Sequence, residues 1–230
     1  MIEGLRHILF PDVCVVCGKL LEKGEQQICS GCFRDFNQFP GADAGGNALK
    51  RTILNHFGLP AVPADAWCLY PFNRSGKLHE AMHALKYGGL FPLGTQFGSK
   101  LGELIQLSGR QVGFDAVVPL PLHSLKRIER SYNQAEKIAE GIAGVLGLPL
   151  SNRCIERCIY TGSQTGLSLT ARRRNMAGAF RPGREACKRR VLLVDDVLTT
   201  GATMVAAAKT LLESGAESVA IAVVAFTEKE

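Results

Sequence analysis

Val191 to Thr203 reads VLLVDDVLTTGAT. Val191 to Val194 is a continuous apolar run, the pattern of a strand buried on both faces. Asp195 and Asp196 follow at its carboxyl end. Thr199-Thr200-Gly201-Ala202-Thr203 then turns into a predicted helix over Thr203 to Ser214, with Val205, Ala208, Leu211 and Leu212 facing inward and Gly215 just past its end. A turn that enters a helix aims several free backbone N–H groups at one point, and the helix dipole adds partial positive charge there. Threonine hydroxyls supply further donors, and Gly201 lets the backbone approach closely. The run is therefore a cradle for a phosphomonoester. Carboxylates beside that phosphate would repel it, so Asp195 and Asp196 must face something else. A sugar diol fits, because paired hydroxyls donate to paired carboxylates, and diol plus phosphate describes a ribose 5-phosphate. The lysine of a Walker A loop is absent after the glycine.

Working outward, Ala66 to Phe72 reads as a short strand. Leu78, Met82 and Leu85 recur at helical spacing, with Ser75 as N-cap and Gly88 at the carboxyl end. A second helix is predicted near Thr95 to Leu107, a buried strand over Phe114 to Pro119, and a helix over Asn133 to Leu146 closed by Gly147 and Pro149. Leu148 to Ile155 reads as a further strand and Ser218 to Phe226 as a final apolar one. Short apolar strands alternating with helices predict an α/β fold, a mostly parallel sheet covered by helices on both faces. Such sheets bind ligands outside the carboxyl ends of their strands. Function is thus expected from Pro119 onward and after Val194.

Pro119 to Gln134, PLPLHSLKRIERSYNQ, also follows a strand and precedes a helix. Lys126, Arg127 and Arg130 there suit pyrophosphate, whose several charges are best met by guanidinium forks; a solvated basic turn is the plainer reading of the same residues. Thr161 to Phe180 has no apolar period and reads as a long loop, within which Gln164, Thr165 and Arg172 to Arg174, Arg173 among them, are further candidates for a diphosphate.

The chain has 230 residues, 46% hydrophobic and 21% charged, which suits one good-sized domain and a small appendage. Three parts are expected: 1–40 with paired cysteines, a Gly/Ala/Pro-rich irregular connection over 41–64, and the main domain over 65–230. The net charge of +6 favours polyanionic partners without choosing among them. No run reaches the roughly 20 apolar residues of a membrane span. Met1 to Pro11 lacks a long apolar leader core, so the cytoplasm is the expected compartment. Cys14-x-x-Cys17 and Cys29-x-x-Cys32 form two knuckles. Four thiolates at that spacing suit a closed, structural zinc site whose metal supplies folding energy to a segment too small to fold alone. A redox dithiol pair or buried free thiols are the alternatives. Cys154 and Cys158 are four apart, as are His79 and His83; the first pair fits core thiols on one helix face, and the second lacks a third metal ligand nearby in sequence.

The Val191 to Thr203 run resembles the phosphoribosyl-diphosphate (PRPP) fingerprint of type I phosphoribosyltransferases. The wider pattern resembles the ComF family: Leu85-Lys86-Tyr87, Val118 to His123, Arg130-Ser131-Tyr132-Asn133-Gln134, Arg173/Arg174-Asn175 with Gly178-Ala179-Phe180, and the N-terminal cysteines. Ser131 stands where that family usually has glycine. The resemblance implies that Asp195 and Asp196 hold the ribose hydroxyls, that Thr199, Thr200, Gly201, Ala202 and Thr203 wrap the 5′-phosphate, and that Mg²⁺ accompanies the diphosphate. Asp195, Asp196 and Arg130 are then the candidate catalytic residues, in displacement of pyrophosphate from C1 of PRPP by an acceptor the sequence does not name. The family also implies a role in natural competence, with single-stranded DNA and a helicase-type protein as partners. A non-catalytic PRPP- or nucleotide-sensing protein that binds single strands is the competing reading. Phe33, Phe36 and Phe39 would be its stacking aromatics, although packing against the cysteine knuckles is their commoner use.

Overall fold

The computed structural model describes residues 12–110, 113–159 and 178–227. Among these residues the main sheet has four parallel strands, β1 (Ala66–Pro71), β2 (Ala116–Pro119), β5 (Arg190–Leu198) and β6 (Ser218–Phe226), in the order β1-β6-β5-β2. A separate antiparallel ribbon pairs β3 (Ile155–Arg157) with β4 (Phe180–Pro182). The helices are α1 (Ser30–Arg34), α2 (Ala44–Phe57), α3 (Lys77–Tyr87), α4 (Phe91–Leu107), α5 (Ser124–Arg130), α6 (Gln134–Leu146) and α7 (Ala202–Glu213).

Strand alternation divides the core in two. Trp67, Val117, Leu192, Val194 and Ala220 face α3, α4 and α6, whereas Ala66, Val118, Val191, Leu193 and Ile221 face α2 and α7. The strands are continuously apolar because both faces are covered. Leu193 pairs with Ile221 on one side and Val118 on the other, so the carboxyl end of β2, at Pro119, lies beside Val194 of β5, just before the two aspartates. That is where ligands enter such sheets, as the sequence suggests.

Element bounds follow local chemistry. Asn133 caps α6 by accepting from the Ala135 N–H, and Gly147 ends the helix in the left-handed region. Gly76, not the expected Ser75, occupies the N-cap of α3. Helix α4 begins four residues before the expected Thr95, at Phe91, where a proline in the first turn costs no hydrogen bond. Leu148 to Ile155 is not a full strand: Leu150 makes one parallel bridge to Val117, and Ile155 belongs to the ribbon. Cys154 and Cys158 accordingly share no helix. In α7 the buried residues are Ala202, Met204, Ala207 and Leu211. Of the expected inward stripe, Val205, Ala208 and Leu212 instead line an apolar cleft of about 440 Å³ against Phe57 and Pro60 to Ala64.

The stretch 41–64, expected as an irregular connection, is corrected by the structure: it contains the 14-residue helix α2, which buries Ala48, Leu49 and Ile53. Its glycines are packing residues. A Cβ on Gly46 would collide with the Ala66 carbonyl, and one on Gly45 would meet the Cys68 carbonyl and the Phe39 ring, so the start of α2 lies directly on β1.

The cysteine segment docks through aromatic rings. Phe36 is buried, 5.3 Å from the Tyr70 ring and 6.4 Å from Phe97, while Phe33 lies edge-on to Phe97 at 6.2 Å. Such ring pairs add about 0.5–1.5 kcal/mol each beyond area burial. Phe33, Phe36 and Phe39 are thus spent on packing, and none of them is an exposed platform for bases. Among the described residues no helix is long and apolar enough to cross a membrane.

Candidate active site and cysteine centre

Strand β5 continues past the apolar run and carries both aspartates within it, with Asp195 opposite Val223 and Leu198 opposite Phe226. Each carboxylate accepts the N–H of the residue after it, Asp195 from Asp196 at 2.8 Å and Asp196 from Val197 at 2.6 Å. Successive side chains leave a strand on opposite sides, and the two carboxylates share Lys86 but differ in their other neighbours. Asp196, buried, pairs with Lys86 from the last turn of α3 at 3.0 Å. Asp195 interacts with Arg157, the last residue of β3. Burial and then the Asp196 charge push the Asp195 carboxyl up to about 7, against the opposing pull of the Asp196 N–H, Lys86 and Arg157.

Beyond Leu198 the chain turns through Thr199, which is exposed, Thr200, which is buried, and Gly201 at φ +83, into α7. The loop is braced from α2: His56 Nδ1 lies 3.2 Å from the Thr200 carbonyl oxygen, and a Cβ on Gly201 would press on Ile53 at 3.1 Å. Glycine is required there by both backbone and space. The five residues from Thr199 to Thr203 are therefore gathered at the start of a 12-residue helix, at the carboxyl end of β5.

The second loop arrives from β2. Asn133 is buried, donating to the Leu120 carbonyl at 3.0 Å, and the Tyr132 hydroxyl donates to the Leu85 carbonyl. These bonds fix the Arg130-to-Gln134 stretch against the end of α3. Ser131 between them sits at φ +65, the left-handed region that glycine occupies at lower cost, and it is the lone non-glycine residue there among the described residues. Arg130 donates to the Gln134 side chain at 3.1 Å and lies over the Tyr87 ring at 5.5 Å. Burial, then Arg157 and Arg130, lower the Lys126 ammonium from its usual range. Arg127 does not join them, because it is exposed and pairs with Glu136 at 3.0 Å. Arg173 and the other candidates of 161–177 lie outside the described residues.

Two cations, Lys86 and Arg157, thus meet the two carboxylates, and Lys126 and Arg130 lie within electrostatic reach of that group, Lys126 feeling Arg157, Arg130 and Lys86. Lys86 and Arg157 have no assigned role in the sequence reading. Lys86 is legible only as part of the Leu85-Lys86-Tyr87 run, which carries no assigned role, and Arg157 only as one cation in a three-residue strand. The crevice holds more positive than negative charge, in a place that already desolvates its groups, which is an environment for a polyanion.

At the amino end, Cys14, Cys17, Cys29 and Cys32 place their sulfurs within 4.8 Å of one another, and none is in a disulfide. Cys17 and Cys29 are 3.8 Å apart, matching the separation of about 3.8 Å that a tetrahedral ion with roughly 2.3 Å bonds imposes. The Cys29 N–H points at Cys14 Sγ and the Cys32 N–H at Cys29 Sγ, each at 3.4 Å. Burial works to raise the Cys14 thiol, but the N–H groups of Cys29, Cys17 and Val16 outweigh it and pull it down to about 6. These residues fit a tetrahedral metal. His79 and His83 gain no third ligand among the described residues.

Residues 161–230 match the model of the phosphoribosyl transferase domain, a span that includes Asp195 to Thr203. That part of the chain is similar to phosphoribosyl transferase domains. It resembles the ComF family across nine-tenths of its length. Competence protein F of Haemophilus influenzae is 28% identical over 90% of this chain and 94% of that protein. The DNA utilization protein YhgH of Escherichia coli K12 is 28% identical over 92% of this chain and 95% of that protein. Among solved structures, glutamine PRPP amidotransferase from B. subtilis aligns with 56% of this chain at 20% identity and a TM-score of 0.38, and this chain spans only a quarter of its length.

The raised Asp195 carboxyl has a consequence for stability. Its folded value, about 7, lies above the ordinary 3.8, so between those values the folded chain holds a proton that the unfolded chain releases. Stability therefore falls as pH rises from about 4 to about 7 and stays reduced above. Asp195→Asn removes this dependence. Its melting temperature is expected to match wild type near pH 4 and exceed it at pH 8, by roughly 2–4 °C per kcal/mol relieved. Thermal scans across that range check this; a gap that does not change with pH contradicts it.

Proposed function

We propose that the crevice binds Mg²⁺-PRPP and transfers its phosphoribosyl group. The observation that carries this reading is the pairing of a threonine-glycine loop at the start of α7 with a carboxylate pair met by Lys86 and Arg157, with Lys126 and Arg130 close by. Each part suits one part of PRPP. The Thr199 to Thr203 loop offers N–H and hydroxyl donors to the 5′-phosphate. Asp195 and Asp196 accept from the ribose hydroxyls. Lys86 then exchanges its contact with Asp196 for the diphosphate, beside Lys126, Arg130 and Arg157. Mg²⁺ arriving on the diphosphate supplies charge neutralisation of the leaving group. As the C1–O bond to pyrophosphate breaks, positive charge develops on the ribose ring, and the nearby carboxylates stabilise it while the cations stabilise the departing pyrophosphate. Bond formation between C1 and the acceptor completes the transfer.

The names of the relatives, competence protein F and DNA utilization protein, support handling of acquired DNA as the process this activity serves. The four cysteines are the ligands of a structural zinc ion, which fastens the N-terminal segment so that Phe33 and Phe36 can dock on Phe97.

Calorimetric titration of Mg²⁺-PRPP tests the site. Wild type is expected to bind, and Asp195→Asn/Asp196→Asn to lose at least about tenfold in affinity, the effect of removing charge-assisted hydrogen bonds. Absence of binding by folded wild type, or full affinity in the variant, refutes the assignment. Elemental analysis of tag-free protein is expected to give one zinc per chain, lost together with the folded N-terminal segment in Cys14→Ser/Cys32→Ser. A metal-free chain with that segment intact contradicts the structural role.

A further inference from the structure

Helix α2 ends against the Thr199 to Thr203 loop, and one of its side chains makes a contact there that the proposed reaction has not used. His56, in the last turn of α2, places Nδ1 3.2 Å from the Thr200 carbonyl oxygen. A carbonyl oxygen only accepts, so Nδ1 carries the proton and donates. The two residues stand 144 positions apart in sequence, so the bond is made by the fold and not by the loop's own turn.

What this bond controls follows from the peptide it holds. Gly201 stands at φ +83 and ψ −5, the values of the third residue of a type II turn, about +80° and 0°. A type I turn differs chiefly in the orientation of its central peptide, which here is Thr200–Gly201. Glycine accepts either sign of φ, so the loop sequence alone leaves that peptide free to face either way. Helix α7 does not settle the choice. The Val205 N–H holds the Gly201 carbonyl at 2.9 Å, which aims the next N–H, that of Ala202, out of the helix start. The Thr200–Gly201 peptide lies one step earlier, outside the helix.

His56 makes the choice. The peptide is trans, so its N–H points opposite to its carbonyl. With the carbonyl drawn toward α2, the Gly201 N–H faces away from α2, and among the described residues no hydrogen bond engages it. Packing agrees, because α2 covers that side of the loop: a Cβ on Gly201 would lie 3.1 Å from Ile53 and 3.8 Å from Phe57. We infer that His56 is a positioning residue of the crevice, fixing the Thr200–Gly201 peptide so that the Gly201 N–H joins the donors at the start of α7 on the 5′-phosphate. In the flipped peptide the Thr200 carbonyl oxygen faces that phosphate and repels it. The inference rests on the PRPP reading of the crevice, and within that reading His56 touches no ligand atom.

Calorimetric titration of the full chain with ribose 5-phosphate and, separately, with Mg²⁺-pyrophosphate tests this. His56→Ala is expected to bind ribose 5-phosphate about tenfold or more weakly and Mg²⁺-pyrophosphate as wild type does. A general loosening of the crevice would weaken both. His56→Asn, whose amide nitrogen takes the place of Nδ1, is expected to regain most of the lost affinity. If His56→Ala keeps its ribose 5-phosphate affinity, or loses both ligands alike, or if His56→Asn fails to rescue, the positioning role is refuted and the PRPP site stands. If wild type binds neither ligand, the crevice reading fails and the role of His56 falls with it.

Discussion

Two carboxylates on adjacent residues repel each other, and a strand end that buries them pays in stability. Asp195 and Asp196 occupy such a position, and the surrounding elements answer their charge from different directions. Helix α3 brings Lys86, the ribbon brings Arg157, and the β2 loop brings Lys126 and Arg130 close by. The arrangement remains costly for Asp195, whose raised carboxyl shows that the cations do not fully offset desolvation. Strain of this kind is tolerated where a ligand relieves it. Ser131, held in a left-handed conformation one residue from Arg130, is a second local cost in the same crevice.

The two halves of the site differ in how they were legible. The Val191 to Thr203 run could be read directly because strand, turn and helix start are consecutive, so sequence order is spatial order. Its boundaries were less accurate: the strand extends through both aspartates to Leu198, since β6 continues to pair with it to Phe226. Lys86 and Arg157 could not be found this way. They reach the carboxylates from elements about 110 and 40 residues away in sequence, and only the packing of α3 and the ribbon brings them in. Arg127 shows the reverse case, a cation in the right loop that its helix turns toward Glu136.

Glycine misled the reading of residues 41–64, because flexibility and close packing leave the same mark in sequence. Gly45 and Gly46 are small so that α2 can lie on β1, and α2 in turn carries Ile53 and His56 to the Thr199–Thr203 loop. The same ambiguity recurs between α4 and α6, where a Cβ on Gly98 would collide with the Ile138 carbonyl and one on Gly141 with the Thr95 carbonyl. The aromatic residues of the cysteine segment follow one rule throughout: with no room for a core of its own, it borrows that of the main domain through Phe36 and Phe33.

The central claim is that the crevice grips PRPP at both ends, phosphate at α7 and diphosphate among the four cations. Phosphorus NMR of PRPP titrated with the chain and Mg²⁺ reads the two ends separately. All three phosphorus resonances are expected to shift or broaden in wild type. In Lys86→Met/Arg157→Met the 5′-phosphate resonance should still respond, with the diphosphate pair much less affected. If only the 5′-phosphate responds in wild type, or if the variant leaves the diphosphate response unchanged, the cation cluster is not the diphosphate site and the account is wrong.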